Sequence, residues 1–135
     1  YFLLTAEAKS IPLVQEMARQ NGDAHYIVAR KGRKLYMDNP ICVGVKSITT
    51  EKDQKLYVDQ EEMEQMRGKR ILIVDDVIST GRSLQALEEI AAAAGADVVG
   101  KMAVLAEGDA ASRTDISYLE KLPLFNGKGE PLPFD

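Results

Sequence analysis

Apolar and polar positions along this chain follow two alternating rhythms. Short continuous apolar runs, suited to strands covered on both faces, are separated by stretches with apolar residues at helical spacing. Tyr1 to Leu4 is one such run and predicts a buried strand. Ser10 stands at a cap position, Pro12 falls in a first turn, and Leu13, Val14, Met17 and Ala18 form a helical stripe that Asn21-Gly22 stops. HYIVAR, His25 to Arg30, predicts a second strand, and KGRKLYMDNP a basic loop with a turn at Asp38 to Pro40. ICVGVKSI and QKLYVD predict the arms of a long hairpin with TTEKD at its tip, and QEEMEQMRG a short helix or turn ending at Gly68. Arg70 to Val74 is the expected central strand. Ser83 to Ala94 is the clearest helix, with Leu84, Leu87 and Ile90 inward and Gly95 at its end. DVVGKMAVLAE predicts another strand. The last third is less regular, with PLFNG as a short strand.

Alternating strands and helices predict an α/β fold: a parallel-sheet core flanked by helices, with a protruding flexible hairpin. At 135 residues the chain is expected to form a single domain spanning 1–135. Ligands of such sheets bind at the carboxyl ends of the strands. Three chemically loaded segments fall there: Thr5 to Ser10, Arg30 to Lys34 and Asp75 to Ser83.

Composition narrows the chemistry. A net charge of −4 argues against bulk binding of nucleic acid, so no nucleic-acid partner is expected. One cysteine, Cys42, and one histidine, His25, exclude a disulfide framework and most thiolate or imidazole metal sites. Cys42 falls in a strand pattern and is expected to be buried. The cysteine usage fits a reducing compartment, most simply the cytoplasm. No apolar run reaches membrane-spanning length.

The chemical signal is RILIVDDVISTGRS, Arg70 to Ser83. A turn from a buried strand into a helix exposes backbone N–H groups and the positive end of the helix dipole, a site for an anion. Ser79, Thr80 and Ser83 add hydroxyl donors, and Gly81 lets the backbone approach a phosphate closely. Asp75 and Asp76 would repel that phosphate. They require donors or a cation, such as a sugar diol or a hydrated magnesium ion. A ribose 5-phosphate satisfies both halves. Against this stands a plain structural reading, in which Asp76 caps a turn and Ser79-Thr80 cap the helix. No dinucleotide fingerprint and no P-loop occurs.

ILIVDDVISTGRS resembles the signature of the type I phosphoribosyltransferases, which use phosphoribosyl pyrophosphate. TAEAKS resembles the family's pyrophosphate loop, and VARKGRK the basic strand end of its adenine-type branch. The resemblance implies transfer of a purine base, most simply adenine, to C1 of the ribose, with release of pyrophosphate. It places Asp75 and Asp76 at the ribose hydroxyls. Ser79, Thr80, Gly81, Arg82 and Ser83 surround the 5-phosphate. Lys9, Arg30, Lys31 and Lys34 meet the pyrophosphate, and Val77 packs on one face of the base. It implies Mg2+ carried on the pyrophosphate and ribose oxygens, with no direct protein ligand set, and a homodimer, with Tyr36 and Met37 of the basic loop expected to face the partner. The hairpin from Ile41 to Asp59 resembles the family's mobile loop.

Family members carry a leading segment that forms a hood over the base. The first core strand here lies at Tyr1, so those base-specifying elements are expected to be absent from this chain. Some relatives keep the same site as a non-catalytic sensor that binds the ligand without consuming it. Others transfer hypoxanthine, guanine, xanthine or orotate. Taken singly, Lys9, Lys31 and Lys34 read as solvated surface lysines, Arg30-Lys31 as protection of a sheet edge, and Val77 as core.

Overall fold

The computed structural model describes residues 2–23, 25–45 and 54–134. Strand β1 (Phe2–Ala6) leads through a tight loop into helix α1 (Ile11–Asn21), and β2 (Ile27–Ala29) follows. Strands β3 (Pro40–Val45) and β4 (Gln54–Asp59) form an antiparallel hairpin, with Cys42 opposite Tyr57. Helix α2 (Gln60–Met66) leads to β5 (Arg70–Ile78), then α3 (Arg82–Ala94) and β6 (Asp97–Glu107). A 3-10 helix (Gly108–Ser112) and β7 (Ser117–Leu122) complete the fold. No helix among the described residues is long and apolar enough to cross a membrane.

The main sheet has the order β2-β1-β5-β6-β7, and every pairing in it is parallel. The two middle strands explain its layering. Along β5, Ile71 and Ile73 pack into the core beneath α2 and α3, whereas Leu72 and Val74 pack on the α1 side. This is the period-2 alternation of a strand covered on both faces. From β1, Leu4 joins the α2–α3 side and Leu3 the α1 side. Leu84, Leu87 and Ile90 are buried on α3 as their spacing predicted. Gly22 and Gly95 close α1 and α3 in the left-handed conformation. The hairpin is tied to the β2 end of the sheet by Arg30, whose N–H donates to the Tyr57 carbonyl at 2.9 Å and whose carbonyl accepts the Tyr57 N–H at 2.7 Å.

Several expectations need correction. The central strand does not stop at Val74 but runs to Ile78, so Asp75 and Asp76 lie inside it. The β-branched Val77 and Ile78 keep the chain extended, and both pair with β6, opposite Leu105 and Ala106. The polar stretch Ser117–Leu122, unassigned from the sequence, is β7, an edge strand whose Leu119 is exposed. PLFNG contributes only an isolated bridge from Phe125 to Pro131. Cys42 is exposed rather than buried. In the basic loop Tyr36 is exposed, but Met37 is buried and presents no surface to a partner. The expected hairpin tip, 49–53, lies outside the described residues.

Candidate active site

The sheet places the three candidate segments at the carboxyl ends of β1, β2 and β5, adjacent strands of one sheet. The loop after β1 is fixed by buried hydroxyls. Thr5 Oγ1 donates to the Val74 carbonyl at 2.6 Å and lies 2.6 Å from Ser10 Oγ, which is 3.0 Å from the Ala6 carbonyl. Two hydroxyl protons thus serve three close contacts, and the loop is bound to the central strand just before the acid pair. This explains why Ser10, although at the start of α1, makes no side-chain cap hydrogen bond. The Glu7–Ala8 peptide in this loop is cis.

Glu7 organises the basic residues, a role the sequence reading missed. Its carboxylate lies 3.6 Å from Arg30 Nη1 and 3.4 Å from Lys34 Nζ, and it accepts the Lys31 backbone N–H at 2.6 Å. Partial burial pushes the Glu7 carboxyl up, but the Lys31 N–H and the charges of Lys34 and Arg30 outweigh it and hold the group below its ordinary range. Arg30 Nε is buried and finds no hydrogen-bond partner among the described residues. Lys31 and Lys9 are exposed, and Lys9 makes no ion pair among the described residues. The structure therefore gathers Arg30, Lys31 and Lys34 around one carboxylate and leaves Lys9 apart.

Asp75 and Asp76, the sixth and seventh of the nine residues of β5, are half-buried. Burial pushes the Asp75 carboxyl up to about 7, and interaction with the Asp76 side chain adds to the rise. The Asp76 N–H, donating to Asp75 Oδ1 at 2.8 Å, and the charge of Lys31 oppose it. A carboxylate crowded in this way favours added donors or a cation. Val77, next in the strand, is half-buried rather than wholly core.

The following turn carries Ser79, half-buried, and Thr80, exposed. Arg82 and Ser83 open α3, both half-buried. The residue before the helix is Gly81, at φ 82°, and no side chain caps this end. Thr80 Oγ1 accepts the Arg82 N–H only at 3.4 Å. Ser79 and Thr80 are thus not the helix cap that the structural alternative required. The helix start remains a set of N–H donors facing the ligand edge of the sheet.

A second missed residue reaches this turn from elsewhere. A Cβ added to Gly81 would lie 2.5 Å from Arg113 Nη1, so the Arg113 guanidinium rests against the turn. Arg113 Nε and Nη2 donate to Asp115 at 2.9 and 2.7 Å. Asp115 also pairs with Lys101 at 3.4 Å, and Lys101 with Glu88 of α3 at 3.4 Å. Arg113 holds the Asp115 carboxyl well below the usual carboxylate range. No local pattern marks Arg113; only the fold brings it to Gly81.

The described residues thus form a parallel sheet with an acid pair, a glycine turn and a basic cluster at its carboxyl edge. Residues 2–123 match the phosphoribosyl transferase domain, and the chain belongs to that family. It is 34% identical over 111 residues to a hypoxanthine/guanine phosphoribosyltransferase of Methanococcus voltae, covering 82% of this chain and 55% of that protein. It is 29% identical over 99 residues to a xanthine phosphoribosyltransferase of Bifidobacterium adolescentis, covering 73% of this chain and 50% of that one. The chain thus spans about half the length of these relatives. In fold it is similar to an adenine phosphoribosyltransferase of Rhodothermus marinus. The TM-score is 0.73 at 18% identity, over 90% of this chain and 69% of the other.

Proposed function

We propose that this chain is the core of an enzyme that joins a purine base to C1 of phosphoribosyl pyrophosphate and releases pyrophosphate. One observation carries the reading. A half-buried acid pair, with one carboxyl pushed up to about 7, lies beside a basic cluster and directly before an uncapped glycine turn.

In this reading Asp75 and Asp76 accept hydrogen bonds from the ribose diol and face the positive charge that develops on the sugar as the C1–oxygen bond breaks. Ser79, Thr80, Gly81, Arg82 and Ser83 hold the 5-phosphate, largely through backbone N–H groups. Lys9, Arg30, Lys31 and Lys34 take up the charge of the leaving pyrophosphate. The buried Arg30 Nε supports this, because an unmatched buried donor favours an incoming oxygen. Val77 packs against the base.

The residues fit a magnesium ion carried by the ligand. The described residues hold no group of three metal-ligating side chains, yet Asp75 and Asp76 offer carboxylates to a hydrated ion. Such an ion would neutralise leaving-group charge. A homodimer covering the basic loop is supported by the full exposure of Leu35 beside the exposed Tyr36.

The basic strand end supports adenine as the base. A second reading, a 6-oxopurine, is favoured by the 34% identity to a hypoxanthine/guanine enzyme. The test is calorimetric titration with magnesium phosphoribosyl pyrophosphate, on the wild type and on Asp75→Asn/Asp76→Asn. Loss of binding in the double variant is expected, and unchanged binding would remove the site assignment. Binding without turnover on any purine would convert the reading to that of a sensor.

A further inference from the structure

We propose that Arg113 is a ligand of the sugar's 5-phosphate: a side-chain cation that the fold delivers to the Ser79–Ser83 turn. The inference rests on the functional reading above and adds a binding residue to the same site.

The geometry points one nitrogen at the turn. Nε and Nη2 are occupied by Asp115, a two-point contact that fixes the plane of the guanidinium. Nη1, on the remaining edge, is the atom nearest to where a Gly81 side chain would stand, at 2.5 Å. Glycine at position 81 therefore meets two demands: the positive φ of the turn and the space Arg113 occupies. A larger residue would push the cation away from the helix start.

The charge arrangement suits delivery of a cation rather than a carboxylate. Asp115 would repel a phosphate on its own, but it lies between Arg113 and Lys101, and Lys101 is further balanced by Glu88. Fixing Asp115 from both sides leaves the donor edge of Arg113 as the group presented to the turn. Arg113 is about one-third exposed, so it is held in place yet open to a ligand. Backbone N–H groups alone supply geometry but no full charge; a fixed guanidinium supplies charge-assisted hydrogen bonds to phosphate oxygens.

The experiment separates the two ends of the ligand. Wild type, Arg113→Gln, Arg113→Lys and Asp115→Asn are titrated with ribose 5-phosphate and, separately, with magnesium pyrophosphate, after thermal melts confirm that each variant is folded. Arg113→Gln should weaken ribose 5-phosphate by about tenfold or more and leave magnesium pyrophosphate within about twofold. Arg113→Lys should recover part of the loss, and Asp115→Asn should weaken ribose 5-phosphate by less than Arg113→Gln. Equal weakening of both probes, or an Arg113→Lys variant no better than Arg113→Gln, would mean that Arg113 only supports the structure, and wild-type binding of both would mean that it faces solvent. Each of these results overturns the inference and leaves the functional reading standing. A wild type that fails to bind phosphoribosyl pyrophosphate itself overturns both.

Discussion

Asp75→Asn should make the protein more stable while damaging its site. The native carboxyl titrates at about 7 against an ordinary 3.8. The folded state therefore binds a proton more tightly than the unfolded state. Wild-type stability accordingly falls as pH rises from about 4 to about 7 and is flat above. About three pH units at about 1.4 kcal/mol each give a ceiling of about 4 kcal/mol, and solvent reaching the half-buried pair lowers this to about 2–3 kcal/mol. Asparagine removes the charge, keeps the shape, and retains an oxygen to accept the Asp76 N–H that now reaches Asp75 Oδ1 at 2.8 Å. Urea unfolding at pH 5 and pH 8 measures the effect. At pH 8 the variant should gain about 2–3 kcal/mol, and at pH 5 less than half of that, because the wild-type carboxyl is then largely protonated in the native state. A variant less stable than wild type at pH 8, or a gain that does not shrink at pH 5, would refute the reasoning. Such a gain, bought with lost binding, is the expected mark of a strained functional group.

Three further outcomes follow from the same geometry. Affinity for magnesium phosphoribosyl pyrophosphate should rise about tenfold from pH 6 to pH 8 as Asp75 ionises. The Asp75→Asn variant, which keeps any titration of the ligand itself, should lose that rise. Gly81→Ala should cost about 1–2 kcal/mol in thermal or urea unfolding, since it forces an L side chain to φ 82° and displaces Arg113; an unchanged midpoint would contradict the turn geometry. Thr5→Val should cost about 1–3 kcal/mol by leaving the Val74 carbonyl without its hydroxyl donor, and a cost near zero would show that the buried contact at 2.6 Å contributes nothing.

The fold was legible where a local pattern carries long-range information. Ile71 and Ile73 against Leu72 and Val74 already state a strand with two covered faces, and Leu84, Leu87 and Ile90 state one helical face. Gly22 and Gly95 mark helix ends because the left-handed conformation demands it. The misses have physical causes. Two acidic residues look like a strand end, yet Val77 and Ile78 beyond them still pair with β6. Strand β7 turns Leu119 outward at a sheet edge and so lacks an inward apolar alternation. The acid pair and the turn could be read as a site because strand, carboxylates and glycine are contiguous. Glu7 could not, because its meaning arises only when β1 and β2 lie side by side and bring Arg30 and Lys34 to it. Arg113 was hidden for the same reason: it follows the 3-10 helix, thirty-odd residues along the chain, and only the tertiary fold brings it to Gly81.

The central claim is transfer of a phosphoribosyl group to a purine. Its most direct test incubates the protein with magnesium phosphoribosyl pyrophosphate and each of adenine, hypoxanthine, guanine and xanthine, and follows nucleoside monophosphate and pyrophosphate together. Equal amounts of both products from at least one base, lost in Asp75→Asn/Asp76→Asn, is the predicted result. Binding of the sugar substrate with neither product from any of the four bases would contradict the enzymatic account.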